Sequence, residues 1–324
     1  MGLFMFRKDN KFIQKWNTIL KLNAIFRKTP YNIRKDSSEA IATLRKTKNQ
    51  DTGQDYCSWS RKQCPTTQTM VVQNYKLIYQ PVAKNACSST KYLIAEIGGL
   101  KKVKGHGGIH ALLDNNNTGL QFKDHSEEKI SKILNEAGWM RFIIFRDPLD
   151  RLVSAYVEKF VKNRSKPVQR LSTKGVIQAI LDKEEPTNED YARGITFREF
   201  AEYILHEKPY KLDSHWQPQI NYLGHVAFTH MYDAKHLEKL EADLSRHIGY
   251  DIKMPRANVS RQRSGKLEYL KHAPDLLPSH LEVAPKLDIR SFLDDNLHAR
   301  LSEYYAADIS IYRMVQNING KISI

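Results

Sequence analysis

The spacing of apolar residues changes character near residue 70. From there two short apolar runs, "YKLIYQPV" (75–82) and "MRFIIF" (140–145), read as strands, and each gives way at polar residues to a helical pattern, "SSTKYLIAEIGGL" (88–100) and "PLDRLVSAYVEKF" (148–160). A strand followed by a helix, twice, predicts parallel strands whose C-terminal ends point the same way. Ligands of open α/β sheets bind at that edge. The predicted fold class is therefore α/β, a central parallel sheet flanked by helices. In the second helical pattern Leu149, Leu152, Val153, Tyr156 and Phe160 form the buried stripe, and Arg151, Ser154 and Glu158 fall on another face. Between the strands, "KGHGGIHALLDNNNTG" (104–119) reads as a Gly- and Asn-rich loop carrying His106 and His110, and residues 162–194 as a further polar excursion. "TFREFAEYIL" predicts a helix with Thr196 as its N-cap.

Residues 1–60 differ in composition, being rich in Lys, Arg and Asn and poor in acids. Within them "NKFIQKWNTILKLNAIFRK" (10–28) sets Phe12, Trp16, Ile19, Leu20 and Phe26 near helical spacing among basic residues. Two readings stay open: a helix docked on the domain or a mobile arm, and a basic amphipathic helix lying on an anionic membrane. The predicted organisation is a basic, partly helical extension over 1–60 and a single domain over 61–324.

The 324 residues carry a net charge of +15 and a pI near 9.5, which favours an anionic partner without choosing between nucleic acid, lipid, polysaccharide and phosphorylated nucleotide. No apolar run reaches the length of a membrane span and the N-terminus lacks a signal-peptide core, so the expectation is a soluble, cytoplasmic chain, peripheral at the inner membrane face if the second reading of the N-terminus holds. Three cysteines, Cys57, Cys64 and Cys87, lack metal-ligand spacing and read as reduced thiols, with a Cys57–Cys64 disulfide as the alternative.

The stretch "AKNACSSTKYL" (83–93) then acquires a chemical meaning. A helix beginning near Ser88 presents unpaired N–H groups and the positive end of its dipole, Ser88, Ser89 and Thr90 add hydroxyls, and Lys84 adds a full charge. That is a cradle for phosphate or sulfate; the same hydroxyls also serve as ordinary helix caps. It is not a Walker loop, because no Gly-x-x-x-x-Gly-Lys precedes it. In the second segment Asp147 caps and Pro148 starts the helix, leaving Arg146 at the strand tip, where it and Ser154 can converge on one oxyanion. The alternative is an Arg146 that pairs locally with Asp147 or Asp150. Two cradles on one sheet edge suggest a ligand with phosphates at both ends.

Together "VAKNACSSTKYL" and "FRDPLDRLVSAYVEKF" resemble the two signatures of sulfotransferases that use 3′-phosphoadenosine 5′-phosphosulfate (PAPS), particularly the carbohydrate sulfotransferases of the chondroitin and dermatan type. The first is similar to the family's 5′-phosphosulfate loop, Pro-Lys-x-x-Cys-Ser/Thr-Ser/Asn, and departs from it at Ala83. The second is similar to the 3′-phosphate site, Arg-x-Pro-x-x-Arg-Leu-x-Ser-Ala-Tyr. Downstream, "FREFAEYILHEKPYKLDSHWQPQINYL" and "NVSRQRSG" resemble later family segments, so the likeness covers roughly residues 70–315.

The resemblance implies a P-loop-kinase-like sulfotransferase fold and sulfuryl transfer from PAPS to a carbohydrate hydroxyl by in-line displacement, without a metal. It implies Lys84 as the electrophilic catalyst at the leaving oxygen. Residues Lys84, Asn85, Ala86, Cys87, Ser88, Ser89 and Thr90 would hold the 5′-phosphosulfate, and Arg146 and Ser154 the 3′-phosphate, with Ser260, Arg261 and Arg263 at that same end. For the general base His110 fits by position, with His106 behind it. His215 and Trp216 would face the acceptor, Trp216 offering a flat surface to a sugar; a buried tryptophan beside a hydrogen-bonded histidine is the other reading. The acceptor would be a glycan or polysaccharide, anionic or lipid-linked, with a protein or small phenolic acceptor as the alternative. A nucleotide-dependent kinase would need a Gly-rich loop that the sequence lacks. A nucleic-acid binder would interleave aromatics with its basic residues, and this chain does not.

Overall fold

The computed structural model describes residues 65–100, 108–223, 226–255, 267–284 and 287–320. The amphipathic stretch 10–28, Cys57, Cys64, His106 and the segment bearing Ser260, Arg261 and Arg263 lie outside the described residues.

Four strands form one sheet in the order β1 (Met70–Val72), β2 (Leu77–Gln80), β3 (Met140–Phe145) and β4 (His230–Asp233). β2, β3 and β4 run parallel, in the register Tyr79 to Phe142 and Ile144 to Tyr232, while β1 is an antiparallel edge strand that the sequence pattern did not announce. The run expected as a strand over 75–82 is shorter because Lys76 turns left-handed, with φ of 46°, and Pro81, which has no N–H to donate, follows its last residue.

The helices are α1 (Cys87–Ile97), α2 (Gly108–Asn115), α3 (Glu127–Asn135), α4 (Pro148–Tyr156), α5 (Pro167–Leu181) and α6 (Asn188–Arg193), then α7 (Phe197–His206), α8 (Leu237–Ile248), α9 (Pro278–Val283), α10 (Asp295–Tyr304) and α11 (Ala306–Gly320). α2 occupies the segment read as a loop, because Ile109 and Leu113 stand one turn apart and are both buried against the sheet. Similarly, Val176 and Ile177 draw the polar excursion at 162–194 into the core as α5, and a reciprocal Thr187–Asp190 capping box starts α6. Thr196 caps α7 as its position predicts, accepting from the Glu199 N–H.

β3 is apolar and buried on both faces, as a central parallel strand must be. Phe142 and Ile144 join Leu77, Tyr79, Tyr232 and residues of α1, α2 and α8 on one side; Ile143 and Phe145 join Tyr312 and Val315 of α11 on the other. A second core, built on α4, α5, α7 and α10, centres on Tyr156, whose ring lies 5.2 Å from that of Phe197 and whose hydroxyl donates to the Ile195 carbonyl at 2.9 Å. α4 runs into a π-helical turn, Val157–Lys162, and this wider turn keeps Phe160 in the core while Glu158 and Lys159 face the β2–β3 edge.

Arg151 is not on an open face with Ser154. It is 1% exposed, and its guanidinium donates to the carbonyls of Ala83 (2.9 Å), Gln217 (2.8 Å) and Ser214 (2.8 Å). A buried cation is tolerated when its donors are satisfied, and here the acceptors belong to two separate loops. We expect Arg151→Met to lower unfolding stability by about 3 kcal/mol, since bonds from a charged donor are worth roughly 1.5–3 kcal/mol each and the desolvation cost of the cation offsets part of their sum. A denaturant midpoint equal to that of the wild type would show that the guanidinium braces nothing.

Candidate active site

The loop between β2 and α1 contains no glycine, yet Lys84 and Ala86 both adopt left-handed backbone, with φ of 71° and 56°. Each such residue costs on the order of 1 kcal/mol, so something must hold the loop in place. Asn85, wholly buried between them, donates through Nδ2 to the Ile144 carbonyl at 2.8 Å and to Gln219 Oε1 at 2.5 Å. Arg151 and Arg146 grip the carbonyls of Ala83 and Lys84, the latter at 3.2 Å. The left-handed turn leads directly into the first turn of α1, whose opening N–H groups have no partner within the helix.

This geometry revises two of the expected ligand residues. Asn85 is an anchor of the loop rather than a donor to a ligand. Thr90 is buried and its hydroxyl donates back to the Ala86 carbonyl at 3.0 Å, one turn earlier in the chain. Ser88 and Ser89 remain half-buried on the first turn of α1. Cys87 is a free thiol whose pKa is pushed up by burial, against the pull of Lys91.

At the tip of β3, Arg146 has the backbone on both sides secured: its N–H donates to Gln219 Oε1 at 3.1 Å and its carbonyl accepts from Gln219 Nε2 at 2.9 Å. Its acidic neighbours are engaged elsewhere. Asp147 caps α4, accepting from the N–H groups of Leu149 and Asp150 at 3.0 Å each, and the Asp150 carboxylate pairs with Lys235 at 3.2 Å. Among the described residues no carboxylate forms an ion pair with Arg146, and none hydrogen-bonds the half-buried Ser154 hydroxyl. Burial lowers the Arg146 pKa, with Asp150 opposing, but a guanidinium stays charged.

Lys84 Nζ makes a close ion pair with Glu158 from the π turn. Burial lowers the Lys84 pKa and Glu158 offsets this only in part; burial raises that of Glu158, but Lys84, Lys159 and His215 outweigh it and hold the carboxyl below its ordinary range. Beside this pair, His215 Nδ1 lies 2.6 Å from Asp213 Oδ1.

His110 sits on α2, with Nε2 3.0 Å from Ser88 Oγ and Nδ1 3.3 Å from Lys91 Nζ. Because an ammonium can only donate, Nδ1 is the acceptor and Nε2 carries the proton. Desolvation of the inward side of the ring, with Lys91 behind it, pushes the His110 pKa down to about 4. Its lone pair is occupied by a buried cation, an arrangement that does not suit the general base expected from its position. Of the two readings open for Trp216 the structure supports the buried one: it is 1% exposed and packs edge-on against Phe200 at 5.3 Å, beside a histidine hydrogen-bonded to Asp213.

Three residues that build this region escaped the sequence reading. Gln219 joins the loop, the strand tip and α11, where Asp308 accepts from the N–H groups of Gln219 (2.6 Å) and Ile220 (2.9 Å). Lys159 is buried next to Glu158, at 3.8 Å, and Asp213 orients His215. The "HWQPQ" stretch carried the only signal for Gln219, a polar residue flanked by apolar ones. Among the described residues no group of three His, Cys, Asp or Glu side chains is gathered as a metal site requires. No helix among them is long and apolar enough to cross a membrane.

One edge of the parallel sheet thus gathers the first turn of α1, Lys84 paired with Glu158, and Arg146 without an ion pair among the described residues. Comparison with known proteins goes further: residues 67–313 match the model of the sulfotransferase family, and the chain belongs to that family. Human carbohydrate sulfotransferase 14 is 26% identical over 225 residues, 69% of this chain and 56% of that protein. Rat carbohydrate sulfotransferase 11 is 25% identical over 66% of this chain and 62% of its own length. The chain spans a little over half the length of the first of these relatives. No solved structure matches.

The depressed His110 pKa fixes a pH effect. Between about pH 4 and 6.5 the unfolded chain binds a proton at this position that the folded chain does not, so the position costs stability as pH falls through that window and nothing above it. His110→Asn should therefore show a smaller fall in Tm between pH 6.5 and pH 4 than the wild type. Parallel Tm curves would mean that the ring titrates normally.

Proposed function

We propose that the chain transfers a sulfuryl group from PAPS to a hydroxyl of a carbohydrate acceptor. The observation that carries this reading is Arg146, held at the tip of β3 with its acidic neighbours occupied, on the same edge as the Lys84 loop. Family membership and the carbohydrate sulfotransferases among its relatives support it.

The residues fit such a donor. The first turn of α1, with Ser88 and Ser89, would take its 5′ end, and Arg146 with Ser154 its 3′-phosphate. When bound, the donor supplies an activated sulfuryl group and a nucleotide leaving group. Lys84 would place its ammonium where negative charge grows on the leaving oxygen, a stabilisation exerted mainly in the transition state. Glu158 opposes the loss of charge that burial favours at Lys84. The net charge of +15 suits an anionic glycan.

Lys84→Ala should lower kcat by about 10²-fold or more, the scale for loss of one transition-state charge stabiliser, with a much smaller change in nucleotide affinity. Unchanged turnover with labelled donor would remove Lys84 from the chemistry. Arg146→Ala and Ser154→Ala should weaken 3′-phosphoadenosine 5′-phosphate (PAP) in calorimetry while leaving adenosine 5′-phosphosulfate, which lacks the 3′-phosphate, nearly unaffected. Equal losses for both ligands would mean that these side chains serve the fold alone. Should ATP, and not PAP, raise the Tm of the wild type, a kinase-like reading would replace this one.

A further inference from the structure

We infer that His215, oriented by Asp213, is the residue that takes the proton from the acceptor hydroxyl. The inference rests on the sulfuryl-transfer reading and adds to it the proton acceptor that in-line displacement by a hydroxyl requires.

One carboxylate oxygen, Asp213 Oδ1, receives both the His215 backbone N–H, at 2.9 Å, and the ring Nδ1, at 2.6 Å. An ionised carboxylate accepts only, so Nδ1 carries a hydrogen, and in the neutral form of the ring the lone pair is therefore on Nε2. No described residue engages Nε2. The side chains of His215 and Asp213 are 26% and 30% exposed, open enough to meet an acceptor. Burial raises the Asp213 pKa, but the bond from His215 and the field of Lys159 prevail and keep it ionised at neutral pH.

The loop that carries the pair is fixed on every side. The Trp216 and Gln217 N–H groups return to the Asp213 carbonyl at 3.0 and 2.8 Å, and Arg151 and the Tyr222 hydroxyl hold the Ser214 carbonyl at 2.8 and 3.1 Å. The buried Trp216 indole pins the next residue, and the Tyr305 hydroxyl donates to its carbonyl at 2.6 Å. A general base needs this kind of preorganisation.

The pair also lies close to the Lys84 loop: one guanidinium, that of Arg151, bonds both the Ala83 carbonyl, next to Lys84, and the Ser214 carbonyl, between Asp213 and His215. Lys159 and Tyr203 are the charged and titratable groups that act on Asp213, and Glu158 and His110 those on which His215 acts. Among the described residues the other candidates suit the role less: the His110 lone pair is directed at Lys91, and the Glu158 carboxylate pairs with Lys84, which holds it a weaker base than an imidazole. In the step, the acceptor oxygen forms its bond to sulfur as the bond from sulfur to the phosphate oxygen breaks. That bond's electron pair leaves with the nucleotide, and the hydroxyl proton passes to His215 Nε2 and on to solvent.

The test uses the full chain with labelled donor and, as acceptor probe, unsulfated chondroitin or whichever unsulfated polysaccharide of a panel accepts the label fastest. His215→Ala should lose kcat by about 10²-fold to 10⁴-fold, the range for removal of a general base, with PAP affinity unchanged in calorimetry. Added imidazole should restore part of the rate, which repair of a merely structural defect would not do. The acidic limb of the wild-type kcat/KM profile should vanish in His215→Ala. In Asp213→Asn it should move to lower pH, because the imidazolium loses its counter-charge. If His215→Ala turns over at the wild-type rate while Lys84→Ala does not, the enzyme reading stands and this assignment falls. A loss in His215→Ala that imidazole does not relieve, with the pH profile intact in what activity remains, equally overturns it. If the wild type binds no PAP, the donor reading fails first and takes the inference with it.

Discussion

A single buried guanidinium ties the two loops of the candidate site together. Arg151 comes from the first turns of α4, and its three acceptors lie in the loop that carries Lys84 and in the segment that carries His215. No carboxylate is needed at this point, because three main-chain dipoles, fixed by their own elements, do the work of a counter-ion without its own desolvation cost. The consequence is that the lysine loop and the histidine segment, 130 or so residues apart in sequence, are tied to the same side chain of α4. The Arg-x-x-x-x-Arg spacing of the α4 segment thus divides two tasks between like residues: Arg146, at the strand tip, is left open, and Arg151, one helical turn in, is fully used.

A second constraint is the strain in the Lys84 loop. Two non-glycine residues with left-handed backbone would relax to the extended or helical region in an unsupported chain. They persist because Asn85, the residue between them, is pinned to β3 and to Gln219, and Gln219 is pinned in turn by Asp308 of α11. Ala83 has no ring to stiffen it, and the Arg151 bond to its carbonyl holds that end of the loop.

Much of this was legible beforehand. The two strand–helix units, the Asp147–Pro148 start of α4, the Thr196 cap and the place of Lys84 and Arg146 follow from period and capping chemistry, which act over a few residues. What stayed hidden depends on contacts across the chain. Arg151 reads as a surface charge until its carbonyl acceptors are known. For Trp216 the sequence leaves a sugar platform and a buried core residue equally open, and Phe160 and Phe200 decide for the core; His110 reads as a loop residue until Ile109 and Leu113 are seen to bury one side of a helix. The antiparallel β1 is only three residues long, too short to show a period.

The distribution of charge in the crevice has a further logic. Lys84, Lys159 and Lys91 are all withdrawn from water, and each has an acidic group near it: Glu158 for the first two, at 3.8 Å from Lys159, and Asp114 for the third, at 3.6 Å. Arg146 is the exception, with the neighbouring carboxylates bound to the α4 N-terminus and to Lys235. A bound anion would therefore gain most at Arg146, where no internal partner has to be displaced, whereas at Lys84 it must compete with Glu158. That asymmetry suits a ligand anchored by one anionic end and reacting at the other. Tight, uniform attraction at the reacting end would stabilise the bound ground state as much as the transition state and would not accelerate transfer, while an ammonium that leaves Glu158 only as charge develops contributes where the barrier lies.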